Sequence, residues 1–375
     1  MKIGITCYPT YGGSGVVATE LGKELAELGN EVHFISYAIP YRLKKFQENV
    51  FFHEVEFSSY PLFEHQLYTL ALASKMIEVA ENYNLDLFHV HYAIPHAISA
   101  CIAKKILATR GYNVKIISTL HGTDITLVGL EPSFMPLIKF GIEESDGVTA
   151  VSQFLKNKTK TAHQTNKEIQ VIYNFIDSEI FKPKLNEFSI SHFSPNCEKI
   201  LIHTSNFRPV KRVSDTIKIL NIVNKVISTN LLLIGDGPER SECERLTKEL
   251  KLTKKVFFLG KQDRLEDLLN IGDIFLLPSE TESFGLSALE AMACGVPIIC
   301  TNIGGLPELN IHNETGYLAH VGDVETMAKY TIDLLTNESK WKQFKEASRN
   351  RAITHFNKNI IVQKYFNYYK DILSA

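Results

Sequence analysis

Cysteine is scarce and scattered. The 375 residues hold six (Cys7, Cys101, Cys197, Cys243, Cys294 and Cys300), none in C-x-x-C spacing, which speaks against a disulfide framework or zinc ribbon and for the reduced thiols of a cytoplasmic protein. No apolar run approaches the twenty or so residues that a membrane span needs. Met1 leads straight into the strand-like Lys2–Thr6, so no signal peptide is expected. Charge of one sign is lacking too: a net charge of −2 and a pI near 6.7 give no basic field for nucleic acid.

What is present is an ordinary globular composition, 45% apolar and 22% charged, long enough for two domains. Strand signals alternate with amphipathic helices, the pattern of an α/β protein with parallel sheets. Strands are expected at 2–6, 32–35, 87–91, 114–120, 145–151 and 169–177. A linker-like stretch over 178–199 follows, and then strands at 200–204, 230–235, 256–260, 274–277 and 296–300. The expected domains are 1–177 and 200–356. A helix should open at Gly12-Gly-Ser-Gly15 after the loop Cys7–Tyr11, with Ser14 as N-cap and Val17, Leu21, Leu25 and Leu28 on its buried face. The tail from Asp323 reads as two helices. The second, 357–375, carries Val362, Tyr365, Phe366 and Tyr369 on one face and lacks the basic polar face of a membrane anchor.

The chain is organised around Glu282-Ser-Phe-Gly-Leu-Ser-Ala-Leu-Glu290. Asp273–Ser279 before it reads as a strand buried on both faces, and Phe284–Ala293 as a helix ending at Gly295. Glu282 therefore stands at the carboxyl end of a buried strand, where open α/β sheets bind ligands. Glu290 lies among apolar neighbours and needs a partner. Either glutamate alone is explained by a structural ion pair or by solvation. Two carboxylates, a turn of free N–H groups and a helix amino end together suit a sugar nucleotide, whose hydroxyls want acceptors and whose diphosphate wants donors.

Other motifs admit two readings each. Gly13-Ser-Gly-Val-Val-Ala18 matches the dinucleotide fingerprint of an oxidoreductase, yet five residues separate it from the first strand and no acidic residue ends the second. Its glycines can still let backbone approach a phosphate. His89, His91 and His96 suggest a metal cluster, but no carboxylate stands at ligand spacing. His121 ends a strand before Gly-Thr-Asp124, placed to reach a ligand, whereas Asp124 reads as a cap of the following turn. Ser205–Arg212 carries Arg208, Lys211 and Arg212 after a first strand: either a solvated turn or a site for diphosphate.

Glu-x7-Glu enclosing Phe-Gly-Leu, with Glu-Ala-Met-Ala-Cys-Gly-x-Pro behind it, resembles the donor signature of retaining GT-B glycosyltransferases, the family of sucrose and glycogen synthases. The resemblance implies two Rossmann-like domains whose parallel sheets face a central cleft, with the last helix packed back on the first domain. It implies Glu282 on the donor sugar, Glu290 on the ribose, and Ser283, Phe284, Gly285 and Leu286 lining the sugar and phosphates. It further implies Gly15, Arg208 and Lys211 at the diphosphate, His121 beside the sugar, and Tyr92 and Thr123 toward the acceptor. Asn174 matches a family turn, although Tyr173 and Phe175 replace its usual Pro and Gly. Gly304–Glu308 reads as structural, with a site role for Glu308 as the alternative.

A narrower resemblance runs nearly end to end, through Thr6-Cys-Tyr-Pro, His-Tyr-Ala-Ile-Pro-His96, His-Gly-Thr-Asp-Ile-Thr126, Ser-Asn-Phe-Arg208 and Thr-Asn-Ile-Gly-Gly-Leu-Pro-Glu308. It points to the branch that moves N-acetylglucosamine from UDP-N-acetylglucosamine to the hydroxyl of L-malate in bacillithiol biosynthesis. No carboxylate is an obvious nucleophile on the sugar's far side, so front-face displacement without a covalent intermediate is expected. Arg42 and Lys139 are candidate partners for malate, with surface solvation the alternative for each. No Asp-x-Asp motif occurs, so no metal or other cofactor is expected, and Cys7 reads as an inert buried thiol. The rivals are a transferase acting on a lipid or sugar, and a UDP-sugar epimerase or non-catalytic nucleotide-binding module.

Overall fold

The computed structural model describes residues 1–10, 12–43, 45–57, 67–184 and 187–375, with the side chains of 187–189 excepted. Tyr11, the end of the expected 7–11 loop, and residues 185–186 of the expected linker lie outside them. Two compact units divide the chain: Met1–Asn174 with Asn359–Ala375, and Phe175–Lys358.

The described residues of the first unit contain seven parallel strands in the order β3-β2-β1-β4-β5-β6-β7. These are β1 (Lys2–Thr6), β2 (Glu31–Ser36), β3 (Val50–Glu54), β4 (Leu87–His91), β5 (Lys115–Leu120), β6 (Gly147–Ala150) and β7 (Gln170–Val171). β1 and β4 bury every residue or nearly so, as strands covered on both faces must. The helices Tyr68–Tyr83 and Ile98–Thr109 lay Leu72, Met76, Ala100 and Leu107 against Phe88, Val90 and Ile116. Tyr369 of the last helix, Lys358–Ser374, is fully buried and its hydroxyl donates to His89 Nδ1 at 2.6 Å.

The second unit's described residues form six parallel strands in the order β10-β9-β8-β11-β12-β13. They are β8 (Lys199–Thr204), β9 (Thr229–Ile234), β10 (Val256–Gly260), β11 (Ile274–Leu277), β12 (Ile298–Thr301) and β13 (Gly316–Ala319). Leu201, Leu231, Leu233, Ile274, Leu276 and Ile299 pack beneath Val213, Ile217, Leu220 and Met327.

Several boundaries differ from the sequence reading for local reasons. β3 was not expected: its Val-Phe-Phe-His-Glu is an edge strand with both faces partly open, so it lacks the continuous apolar run that marks its neighbours. The strand expected at 169–177 shrinks to Gln170–Val171, because Ile176 instead exchanges backbone hydrogen bonds with Phe356 and Lys358. The linker stretch contains a helix, Glu187–Phe193, held at its end by Asn230 donating to the Phe193 carbonyl. Three helices, not two, fill the tail, since Asn337 accepts from the Lys340 N–H at 3.1 Å and restarts the chain as an N-cap. Ser14 is not the cap of the first helix: Gly12 is, and the Ser14 hydroxyl donates to Tyr92 Oη at 3.1 Å.

Candidate active site

In the second unit the chain leaves β8 toward β9 on one side, while β11 pairs on the other. The loops after β8 and β11 thus leave the same carboxyl edge where the strand order reverses, the usual ligand crevice of an open α/β sheet. The two loops are clamped together. Glu280 N–H donates to the Val210 carbonyl at 2.7 Å, and Lys211 Nζ donates to Glu282 Oε2 at 2.5 Å. Ser279 Oγ reaches the same carboxylate oxygen at 3.4 Å. The Lys211 and Glu282 side chains are 20% and 15% exposed, so each is desolvated enough to need the other and open enough to meet a ligand.

The Glu282 backbone is pinned from below. A β-carbon on Gly304 would fall 1.8 Å from the Glu282 carbonyl oxygen, and Gly305 N–H donates to that oxygen at 3.0 Å. Gly304 and Gly305 are thus structural in a specific sense: they support the backbone of a candidate site residue. Phe284 is buried edge-on against Phe356. Gly285 takes φ +97° and opens the helix Leu286–Ala293, whose amino end no side chain caps. Glu290 is buried within that helix. Arg208, in contrast, is exposed.

In the first unit, three expected residues stand at the ends of β4 and β5. The Tyr92 and His121 rings lie 5.4 Å apart, and Thr123 opens the short turn after His121. Tyr92 adopts φ +94°, a strained conformation for a non-glycine residue. It is held by its N–H donating to the Thr119 carbonyl. Asp124 does not cap the next turn. Buried, it accepts from the N–H groups of Ala93 at 3.0 Å, Gly122 at 2.9 Å and His121 at 3.3 Å, tying the two loops together. Burial still pushes its carboxyl above the usual range, against the lowering effect of those bonds. The His-Gly-Thr-Asp spacing carried that role without announcing it.

The three candidate metal histidines are engaged with protein. His89 is bonded to Tyr369 and Thr119, His96 to the His91 carbonyl and Tyr68, and His91 to His121 at 2.8 Å. Among the described residues no group of three His, Cys, Asp or Glu could hold a metal ion. Burial, then the neighbouring His96, lowers His121 to about 3, so its imidazole is neutral near pH 7. Cys7 is buried and its thiol is pushed up to about 12, which removes the reactive thiolate.

Gly15 has a packing reason beyond any ligand, because a β-carbon there would stand 2.4 Å from the Tyr8 carbonyl oxygen. Asn174 Oδ1 is buried without a hydrogen-bond partner among the described residues. Arg42 pairs with Glu20 at 3.7 Å. Lys139 contacts Glu143 at 3.8 Å and donates to the Gln164 carbonyl at 3.2 Å, a largely solvated arrangement. No described helix is long and apolar enough to cross a membrane.

Comparison with known proteins follows the same division. Residues 11–180 match the model of Glycosyltransferase Family 4 and residues 186–351 that of Glycosyl transferases group 1. N-acetyl-alpha-D-glucosaminyl L-malate synthase of Bacillus anthracis is 50% identical over 374 residues, covering 100% of this chain and 97% of that protein. The chain belongs to this family of GT-B glycosyltransferases. The enzyme is also 25% identical to 2-deoxystreptamine N-acetyl-D-glucosaminyltransferase of Niallia circulans, over 96% of this chain and 97% of the other. Its fold matches sucrose-phosphate synthase from Thermosynechococcus elongatus with a TM-score of 0.82 at 20% identity, covering 100% and 99% of the two chains. Anabaena HepE in complex with UDP and glucose matches with a TM-score of 0.81 at 22% identity, over 98% and 99%. It is thus an enzyme, a hexosyltransferase, and the dinucleotide fingerprint at Gly13–Ala18 does not make it an oxidoreductase.

Proposed function

We propose that the enzyme transfers N-acetylglucosamine from UDP-N-acetylglucosamine to the hydroxyl of L-malate, with retention at the anomeric carbon. The observation that carries the donor side is the Lys211–Glu282 pair at the carboxyl edge of β8 and β11. Such a pair offers a carboxylate to sugar hydroxyls and an ammonium to the departing diphosphate. The malate side is supported by the name of the relative that shares half its residues.

In this reading Arg208, Lys211 and the amino end of the helix Leu286–Ala293 stabilise the diphosphate as the glycosidic C–O bond breaks. Glu282 and the backbone of Ser283–Leu286 orient the sugar, and Glu290 holds the ribose. Gly15 and Asn174 complete the donor contacts. Tyr92 and Thr123 receive the acceptor, with His121 beside the sugar, and Arg42 and Lys139 face the dicarboxylate. No carboxylate is assigned as a nucleophile. The malate hydroxyl attacks on the face the diphosphate leaves, and a diphosphate oxygen takes its proton. No metal enters the scheme, and the reaction belongs in the cytoplasm as the first step of bacillithiol synthesis.

The test is UDP release from UDP-N-acetylglucosamine across a panel of hydroxy acids. Release with L-malate alone supports the reading. Release only with membranes or sugars means a lipid or sugar acceptor, and isomerised donor without release means an epimerase.

A further inference from the structure

Beneath the Lys211–Glu282 pair lies a buried polar side chain with no part in the scheme above. His203, one residue before the end of β8, is fully buried. β8 and β11 pair only through Ile274 with Leu201 and Phe275 with Ile202. Beyond that point the His203 imidazole takes over the next carbonyl, its Nδ1–H donating to Leu276 O at 2.9 Å. A carbonyl can only accept, so the proton sits on Nδ1 and Nε2 carries a lone pair. Nε2 therefore accepts from the Ser205 hydroxyl at 2.8 Å. Ser205 Oγ in turn accepts from the Phe207 N–H at 3.2 Å. Every direction in the chain is dictated by its first member.

The segment at the end of that chain needs holding. Phe207 is buried at φ +40° and Arg212 stands at φ +49°, so both flanks of Arg208–Lys211 occupy left-handed backbone that non-glycine residues avoid. Strain of this kind persists only where surroundings over-determine it. Ser205 and Phe207 are anchored further, by Ser205 N–H to the Ile234 carbonyl and Glu239 N–H to the Phe207 carbonyl. Burial lowers His203 to about 4, so the ring stays in the neutral form that can accept from Ser205.

We infer that His203 and Ser205 are positioning residues for transfer: a one-directional hydrogen-bond chain from Leu276 through His203 and Ser205 to Phe207 fixes the cationic loop so that Lys211 meets Glu282 and the donor diphosphate. The inference rests on the proposed role of Lys211. It makes His203 the element that couples the carboxyl ends of β8 and β11, so that the two loops move as one.

A double-mutant cycle tests it, with UDP release as the readout. Ser205→Ala breaks the chain at a partly exposed position. His203→Asn keeps a donor toward Leu276 but cannot reach Ser205. Each is expected to lower kcat about tenfold in the native background and less than twofold in the Lys211→Ala background, because the residue acts through Lys211. Ser205→Thr, which keeps the hydroxyl, is expected to restore at least half of kcat. Equal losses in both backgrounds would show a merely structural role and overturn the inference, as would an unchanged kcat in Ser205→Ala. If His203→Asn fails to fold, Ser205→Ala carries the cycle alone. A Lys211→Ala enzyme with native kcat would refute the assigned role of Lys211, an outcome read from that single variant before the cycle is closed.

Discussion

Glu282 places its carbonyl oxygen in the space that a side chain on residue 304 would occupy. The β-carbon of an alanine there would come within 1.8 Å of that oxygen, at a backbone φ of +58°. Gly304→Ala must therefore shift the Glu282 backbone and the turn against it, disturbing the geometry that brings Glu282 to Lys211. Overpacking of this kind costs about 1–3 kcal/mol, and a displaced catalytic group costs activity steeply. The expected result is a loss of kcat/KM of more than about tenfold with a lowered melting temperature. Gly29→Ala is the control, since Gly29 has φ +82° but nothing within 4 Å of its would-be β-carbon. It should lose some stability and no activity.

The two members of the ion pair should fail differently. In the proposed scheme Lys211→Ala removes charge that stabilises the leaving diphosphate, so kcat should fall on the order of 10²-fold or more. In the same scheme Glu282→Gln removes a sugar contact and leaves the phosphate contacts in place. It should raise the KM for UDP-N-acetylglucosamine while the Kd for UDP, measured calorimetrically, stays within about twofold.

Strands with continuous apolar runs, such as Leu87–His91 and Ile274–Leu277, were legible because burial on both faces leaves few alternatives. The position of Glu282 beyond the carboxyl end of such a strand was legible for the same reason. The supports were not. Gly304 looked like any turn glycine, and only the path of the Glu282 backbone shows why nothing larger fits. Asp124 and Ser14 read as local caps in the sequence because the contact that decides each, with Ala93 and Tyr92, lies far along the chain. His203 carried no signal, because its role depends on where β8 and β11 stop pairing. Local pattern reveals elements and motifs; contacts between distant loops require the fold.

Acid should unfold the first unit before the second. Burial lowers His53 and His96 to about 4 and His89 and His121 to about 3 in the first unit, against His203 alone at about 4 in the second. Above pH 6.5 both folded and unfolded states hold these rings neutral and nothing is lost. Between pH 6.5 and the folded values, the unfolded chain binds protons that the folded chain refuses. Stability then falls by up to about 1.4 kcal/mol per pH unit for each ring. The chain's one tryptophan, Trp341, lies in the second unit. At pH 5 the urea midpoint from far-UV circular dichroism should therefore fall below that from tryptophan fluorescence, and the two should converge at pH 7.5.

Turnover should survive 10-fold excess chelator, on the order of what strips a weakly held divalent ion. In the proposed scheme Arg208 and Lys211 supply the positive charge at the leaving diphosphate, and no cation is needed. Activity abolished by EDTA and restored by a divalent ion would sink the charge assignment.

The acceptor side turns on whether a cation reads malate. Arg42 already has Glu20 at 3.7 Å as a partner, and Lys139 has Glu143 at 3.8 Å. The exposed Lys139–Glu143 pair is worth only about 0–1 kcal/mol, and the long Arg42–Glu20 separation leaves room for a dicarboxylate to compete for the charge. Arg42→Glu should raise the KM for L-malate at least about tenfold, one ion contact being worth roughly 1.5–3 kcal/mol, and leave the KM for the donor unchanged. Lys139→Glu should act in the same direction but more weakly, since its side chain is more exposed, 43% against 28%. Equal shifts in both KM values would mean that neither cation reads the acceptor, leaving the carboxylates of malate to be recognised by the backbone and hydroxyl groups around Tyr92 and Thr123.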